Sequence, residues 1–146
     1  MRVHASVLVQ RPIEVVFEYL STPEQLPEWL AGVAAVHGPL PDQQEVGSIL
    51  VLDRRRPLGH TRSTWEVTAY EPPRSLALRG LDDAAARPEV RWTLEGVPPG
   101  ATRVGVEADL DAASFFQPTA TDLAELGMRQ VQDNLQVLKQ RVEAGA

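Results

Sequence analysis

Hydrophobic and polar positions fall into three successive regimes along the chain. From Val3 to Val9 they alternate, with Val3, Ala5, Val7 and Val9 against His4, Ser6 and Leu8, the two-residue period of a strand. Arg11-Pro12 ends that strand, and Ile13, Val16, Phe17 and Leu20 then recur at helical spacing. Pro12 suits the first turn of this helix, where its missing N–H costs nothing. Ser21-Thr22-Pro23 stops it, and Pro23 to Leu30 offers a second short helix carrying Leu26, Trp29 and Leu30.

From Val33 onward, glycine and proline turn signals arrive at short intervals, the punctuation of a strand meander. Strands are predicted near Val33–His37, Gly47–Asp53, His60–Tyr70, Ser75–Gly80, Val90–Glu95 and Arg103–Leu110. The turn at Gly96–Gly100 suggests a register that sets Glu95 against Arg103, Arg91 against Glu107, Trp92 against Val106 and Leu94 against Val104. The Pro72-Pro73 turn sets Glu66 against Arg79, Val67 against Leu78 and Ala69 against Leu76. Opposite charges across strands contribute only ~0.2–1 kcal/mol each, so the pattern speaks for register more than for stability. It assigns Glu66, Arg79, Arg91, Glu95, Arg103 and Glu107 to an outer face. The inner, apolar face carries Trp65, Val67, Leu76, Leu78, Val90, Trp92, Leu94, Val104, Val106 and Ala108.

The third regime is a long helical pattern from about Pro118 to Val142. Thr119 or Thr121 is the candidate cap, Asp122 and Glu125 suit the positive end of the helix dipole, and Lys139 and Arg141 suit the other end. Leu123, Leu126, Val131, Leu135, Leu138 and Val142 form the apolar stripe. Gly127 interrupts it at about 1 kcal/mol relative to alanine. Close packing on the sheet explains such a glycine most simply, and a bend over a cavity explains it as well. One helix covers a curved antiparallel sheet incompletely, and that geometry tends to leave a cavity.

Composition narrows the class. The 146 residues suit a single domain, 1–146, large enough to bury a core without staples. No apolar stretch approaches the ~20 residues of a membrane span. The opening Met1-Arg2-Val3-His4-Ala5-Ser6 lacks a secretory apolar core, so a cytoplasmic location is expected. There is no cysteine, which excludes disulfides and thiolate chemistry. A formal net charge of −6 disfavours a nucleic-acid surface. Apolar small molecules remain as ligands.

Several segments carry a family resemblance: Val7-Leu8-Val9-Gln10-Arg11-Pro12-Ile13-Glu14-Val15-Val16-Phe17-Glu18-Tyr19-Leu20, Leu26-Pro27-Glu28-Trp29, Trp65-Glu66-Val67-Thr68-Ala69-Tyr70-Glu71-Pro72-Pro73-Arg74 and Asn134-Leu135-Gln136-Val137-Leu138-Lys139. Together they resemble the SRPBCC or START-like superfamily, and within it the bacterial polyketide cyclase/dehydrase and lipid transport group. The resemblance implies an α+β helix-grip (START/Bet v-like) fold. In that fold a curved seven-stranded antiparallel sheet wraps a long C-terminal helix, two short helices follow strand 1, and a hydrophobic pocket lies between sheet and long helix. Lipid and quinone binders, polyketide aromatase/cyclases and ligand sensors share it, so the fold alone does not select a function.

The residues themselves offer little catalysis. His4, His37 and His60 have no metal-ligand spacing, no zinc-hydrolase motif occurs, and neither a nucleophile elbow nor a Gly-rich phosphate loop is present, so no metal and no cofactor are expected. Asp53, Thr61, Ser63, Tyr70 and Ser114 are the inward polar candidates, each more simply a strand-end or rim residue. An inward arginine, which the resemblance implies for a cyclase pocket, finds no counterpart among Arg62, Arg79, Arg91 and Arg103. The cluster Arg54-Arg55-Arg56 reads as a solvated hairpin tip, or else as attraction for an anionic head group, an acidic carrier or a membrane surface.

The expected ligand wall is therefore Trp65, Val67, Trp92, Leu94, Val104 and Val106, with Leu123, Gly127, Val131 and Leu135 as lid. Trp65 and Trp92 either line the pocket or fill the core against Leu123, Val131 and Leu135. Of Phe115 and Phe116, one staples the last helix and the other gates the pocket mouth. Trp29 is a packing anchor. The expected function is binding or transport of a hydrophobic small molecule such as a lipid, quinone or polyketide. A polyketide aromatase/cyclase is the alternative, and a protein-interaction or co-chaperone module the third class. A homodimer is compatible with all three.

Overall fold

Alternating apolar residues make the first strand, β1 (Arg2–Val9), whose Val3, Val7 and Val9 are buried. A computed structural model of the chain describes residues 2–37, 44–56, 59–82, 88–109 and 123–145, with the backbone alone at 55–56, 59–61 and 123–127. Helix α1 (Ile13–Ser21) follows. Pro12 stands one position outside its first turn, as the N-cap, and its carbonyl accepts from Val15 and Val16 N–H at 3.1 Å each. The Ser21 and Thr22 hydroxyls donate back to the Phe17 and Glu18 carbonyls at 2.7 and 2.6 Å, and Thr22 turns extended. A single 3-10 turn (Pro23–Gln25) and the one-turn helix α2 (Leu26–Trp29) complete this corner.

The meander is β2 (Val33–His37), β3 (Ile49–Arg56), β4 (Gly59–Glu71), β5 (Ser75–Gly80), β6 (Glu89–Val97) and β7 (Ala101–Asp109). All seven strands form one antiparallel sheet in the order β1-β7-β6-β5-β4-β3-β2. The β6/β7 register is the predicted one at all four pairs, Glu95↔Arg103, Arg91↔Glu107, Trp92↔Val106 and Leu94↔Val104. In β4/β5, Glu66↔Arg79 and Val67↔Leu78 hold, but Ala69 faces Ala77 instead of Leu76. A bulge between Val67 and Ala69 inserts one residue, and it puts Tyr70 opposite the buried Leu76. The outer-face charges pair with neighbours of convenience: Arg79 and Arg91 both reach Glu89, at 3.4 and 3.9 Å, and Arg2 reaches Glu107 at 3.6 Å.

Helix α3 (Leu123–Glu143) lies against the inner face, burying Val131, Leu135, Leu138 and Val142 at alternating four- and three-residue steps. The caps expected at Thr119 or Thr121, and the side chains of Leu123, Glu125 and Leu126, lie outside the described residues. The last turn of α3 is clamped to the β1–α1 junction. Lys139 Nζ donates to the Leu8 carbonyl at 2.8 Å and pairs with Glu143 at 2.6 Å. Glu143 in turn accepts the Gln10 N–H at 2.8 Å, and Arg11 donates to the Val142 carbonyl at 3.2 Å. Lys139 and the Gln10 N–H favour the Glu143 carboxylate and hold its pKa below the ordinary range. The sheet, the two short helices after β1 and the long last helix form a helix-grip fold.

Candidate functional site

The predicted wall is buried throughout. Trp65, Val67, Trp92, Leu94, Val104 and Val106 all belong to one apolar cluster with Val131, Leu135, Leu138 and Val142 of α3. Trp92 meets Trp29 edge-on, with ring centroids 5.7 Å apart at 76°, so Trp29 does act as a packing anchor. The Trp65 Nε1–H is satisfied by Ser63 Oγ at 2.9 Å, which accounts for the inward Ser63 without chemistry. Asn134 on α3 accepts from the Ala31 N–H at 3.1 Å and holds the loop after α2. Among the described residues the space bounded by Trp92, Leu30, Val131 and Leu135 is a crevice of about 10 Å³. Phe115 and Phe116 and the side chain of Leu123 lie outside the described residues, as does the packing of Gly127.

A roomier concavity lies elsewhere. A groove of about 500 Å³ runs between α1 and the β4–β5 turn. Helix α1 contributes Glu14, Phe17, Glu18 and Ser21, which the 3.6-residue period stacks on one face, and the 3-10 turn adds Pro23 and Glu24. Tyr70, Pro72 and Pro73 form the opposite wall, and the Phe17 and Tyr70 rings stand 5.7 Å apart at 52°. Without the bulge in β4, Tyr70 would face outward. Beneath the groove, a second crevice of about 10 Å³ reaches Leu50, Val67, Leu76 and Leu78 on the sheet. Ser21, Pro23 and Gln44 border both spaces. Sequence reading assigned Phe17 only to a core stripe; the available signal was the flanking Glu14, Glu18 and Ser21 on the same helical face.

The reading of Arg54 is corrected. It is 0% exposed, not part of a solvated tip, and its Nε donates to the Gly32 carbonyl at 3.4 Å. Gly32 takes φ 85°, a left-handed conformation that glycine adopts without steric cost. An inward arginine therefore exists. The run Ile49-Leu50-Val51-Leu52 is apolar on both faces and leaves strand parity open; pairing of Leu50 with Trp65 and Leu52 with Ser63 settles it. Ile49, 47% exposed, and Asp53 consequently face outward, and Asp53 meets His37 Nε2 at 3.1 Å and Arg62 at 3.9 Å on the outer sheet. The side chains of Arg55, Arg56, His60 and Thr61, and all of Ser114, lie outside the described residues.

Behind the groove, Tyr19 on α1 donates to Glu28 of α2 at 3.1 Å, and Arg141 of α3 approaches the same carboxylate at 4.0 Å. Burial, then the bond to Glu28, pushes the Tyr19 pKa up to about 12. The phenol is therefore a tie between helices, protonated at neutral pH. Among the described residues no helix is long and apolar enough to cross a membrane, and no group of three or more histidines and carboxylates could hold a metal.

Comparison with known proteins agrees with this architecture. An uncharacterized protein of Mycobacterium tuberculosis is 26% identical over 120 residues, 82% of each chain. A START superfamily protein from Mycobacterium smegmatis superposes with a TM-score of 0.75 at 16% identity, covering 99% of both chains. An aromatase/cyclase from a Streptomyces species gives 0.71 at 17% identity, over 100% of this chain and 98% of its own. At such identities the likeness speaks for the fold alone. Residues 1–143 match the family described as polyketide cyclase / dehydrase and lipid transport, and the chain belongs to that family.

Proposed function

We propose that the protein binds an apolar small molecule without transforming it, and that the molecule lodges in the groove between α1 and the β4–β5 turn. The observation that carries this reading is the groove itself. At about 500 Å³ it falls within the 300–1,000 Å³ range of small-molecule sites, and aromatic and proline side chains form much of its surface. The crevice under Gln44, about 10 Å³, continues it toward Val67, a residue of the predicted wall. A lipid, a quinone and a polyketide all have suitable apolar bodies.

Native mass spectrometry of the purified protein, before and after solvent extraction, tests the reading. An extractable adduct is expected, and Ser21→Trp, which fills the groove from α1, is expected to abolish it. A protein consistently empty and indifferent to apolar probes would defeat it.

A second reading, polyketide cyclisation, draws support from Arg54. The guanidinium stands on the inner face of β3, four residues beyond Leu50 or about 13 Å along the strand, where it would polarise a ketone of a ligand extending inward. Cyclised product from a poly-β-keto thioester, lost in Arg54→Met while the apolar adduct persists, would establish this second reading. Against the interaction-module class, Val46 and Ile49 are the exposed large apolar side chains among the described residues, too few for a broad docking patch.

A further inference from the structure

The groove is lined on one side by carboxylates and in its depth by Gln44, an acceptor that lacks a donor among the described residues. Glu14 and Glu18 stand on the α1 face that also presents Phe17, and Glu24 follows on the 3-10 turn. None of the three makes an ion pair with a described residue, and no lysine or arginine is among the described residues that line the groove. Gln44, only 8% exposed, borders both the groove and the crevice beneath it, and its Oε1 has no hydrogen-bond partner among the described residues. A buried acceptor left unpaired is costly, and a ligand N–H would remove that cost. Three unpaired carboxylates repel an anionic head group and attract a cationic one. The half-buried Tyr70 ring, tilted against Phe17, adds a π-face of the kind that cations favour.

We propose that the ligand is a cationic amphiphile: an apolar body with a protonated amine that sits among Glu14, Glu18 and Glu24 and donates to Gln44 Oε1. The inference rests on the groove being the ligand site, and it names the ligand class. It excludes fatty-acid-like anions from that site and separates this protein from a carrier of free carboxylates. The carboxylates set the charge of the head, Gln44 rewards an N–H over a fully alkylated nitrogen, and the prolines and aromatics hold the chain.

The test is displacement of a fluorescent apolar probe by decylamine, decanol and decanoate, which share a chain and differ in head group. Amine tighter than alcohol, and alcohol tighter than carboxylate, is expected. The amine's advantage over the alcohol should be about tenfold at low salt, equivalent to about 1.4 kcal/mol, and should shrink as salt screens the exposed carboxylates. Glu14→Gln, Glu18→Gln and Glu24→Gln combined should abolish the preference for amine over alcohol, with Glu18→Gln alone giving a partial loss. Gln44→Leu should weaken decylamine more than decyltrimethylammonium, which has no N–H. Equal binding of amine and carboxylate, with decanol still bound and still blocked by Ser21→Trp, would overturn the cationic-head inference and leave the groove as an apolar site. Failure of all three probes to bind would overturn the groove and the inference together.

Discussion

Replacing Trp92 by alanine removes an indole that is 2% exposed, wedged between Leu76 and Val106 across the strands and Leu30, Val131 and Leu135 above them. The substitution deletes about 140 Å³, and an unrelaxed cavity of that size costs about 3 kcal/mol at ~24 cal/mol per Å³. The lost burial adds about 2 kcal/mol. The total of about 5 kcal/mol is the upper end of what such substitutions do, because neighbours collapse part-way into the space. A domain of this size has ~5–15 kcal/mol in all, so the variant should be folded but fragile. Urea unfolding followed by circular dichroism reads the loss as a lower midpoint at unchanged slope. A cycle with Trp29→Leu should return about 1 kcal/mol of coupling from the edge-on contact of the two rings. A loss below about 2 kcal/mol at unchanged slope would mean that Trp92 borders an open cavity, refuting the packed-core account of the sheet–helix space.

Three further outcomes follow from single contacts. Asn134→Leu strands the part-buried Ala31 N–H and should cost about 1 kcal/mol in the same urea assay. Gly80→Ala should cost about 1–3 kcal/mol, because the new Cβ would stand 2.9 Å from Pro88 Cγ while the Gly80 N–H is bound to the Pro88 carbonyl at 2.8 Å. The Glu143 pKa is depressed in the folded state, so its contribution is complete above the unfolded value of 4.5 and disappears as pH falls through the folded one. Glu143→Gln should therefore lower stability at neutral pH and make the acid limb of the stability profile shallower, as read from thermal midpoints between about pH 6 and 3.

Where side chains alternate cleanly, sequence was enough to set register. In β6 and β7 the charged and apolar residues separate by parity, and every predicted pair between them forms. At Thr68 and in Ile49–Leu52 that logic gave out for two different reasons. A bulge has no compositional mark, so the partner of Ala69 was off by one residue, and a four-residue apolar run carries no parity, so Asp53 and Arg54 were exchanged between faces. The groove was illegible because its walls, α1 and the Pro72-Pro73 turn, are far apart in the chain and meet only once the sheet curls. No local pattern encodes a space between distant elements.

The placement of β1 sets an order of events as well as a shape. Strands β2 to β7 each pair with a sequence neighbour, so that meander can zip up through short loop closures. β1 cannot join it: its partner is β7, with Arg2 opposite Asp109, and the clamp on its far end needs Lys139, Val142 and Glu143 from the last turn of α3. During synthesis Val3, Val7 and Val9, together with the apolar face of α1, wait unpaired while more than a hundred residues emerge. Of the seven strands of this sheet, the first in sequence is the last one seated, and α1, one wall of the groove, is positioned only once α3 has been made.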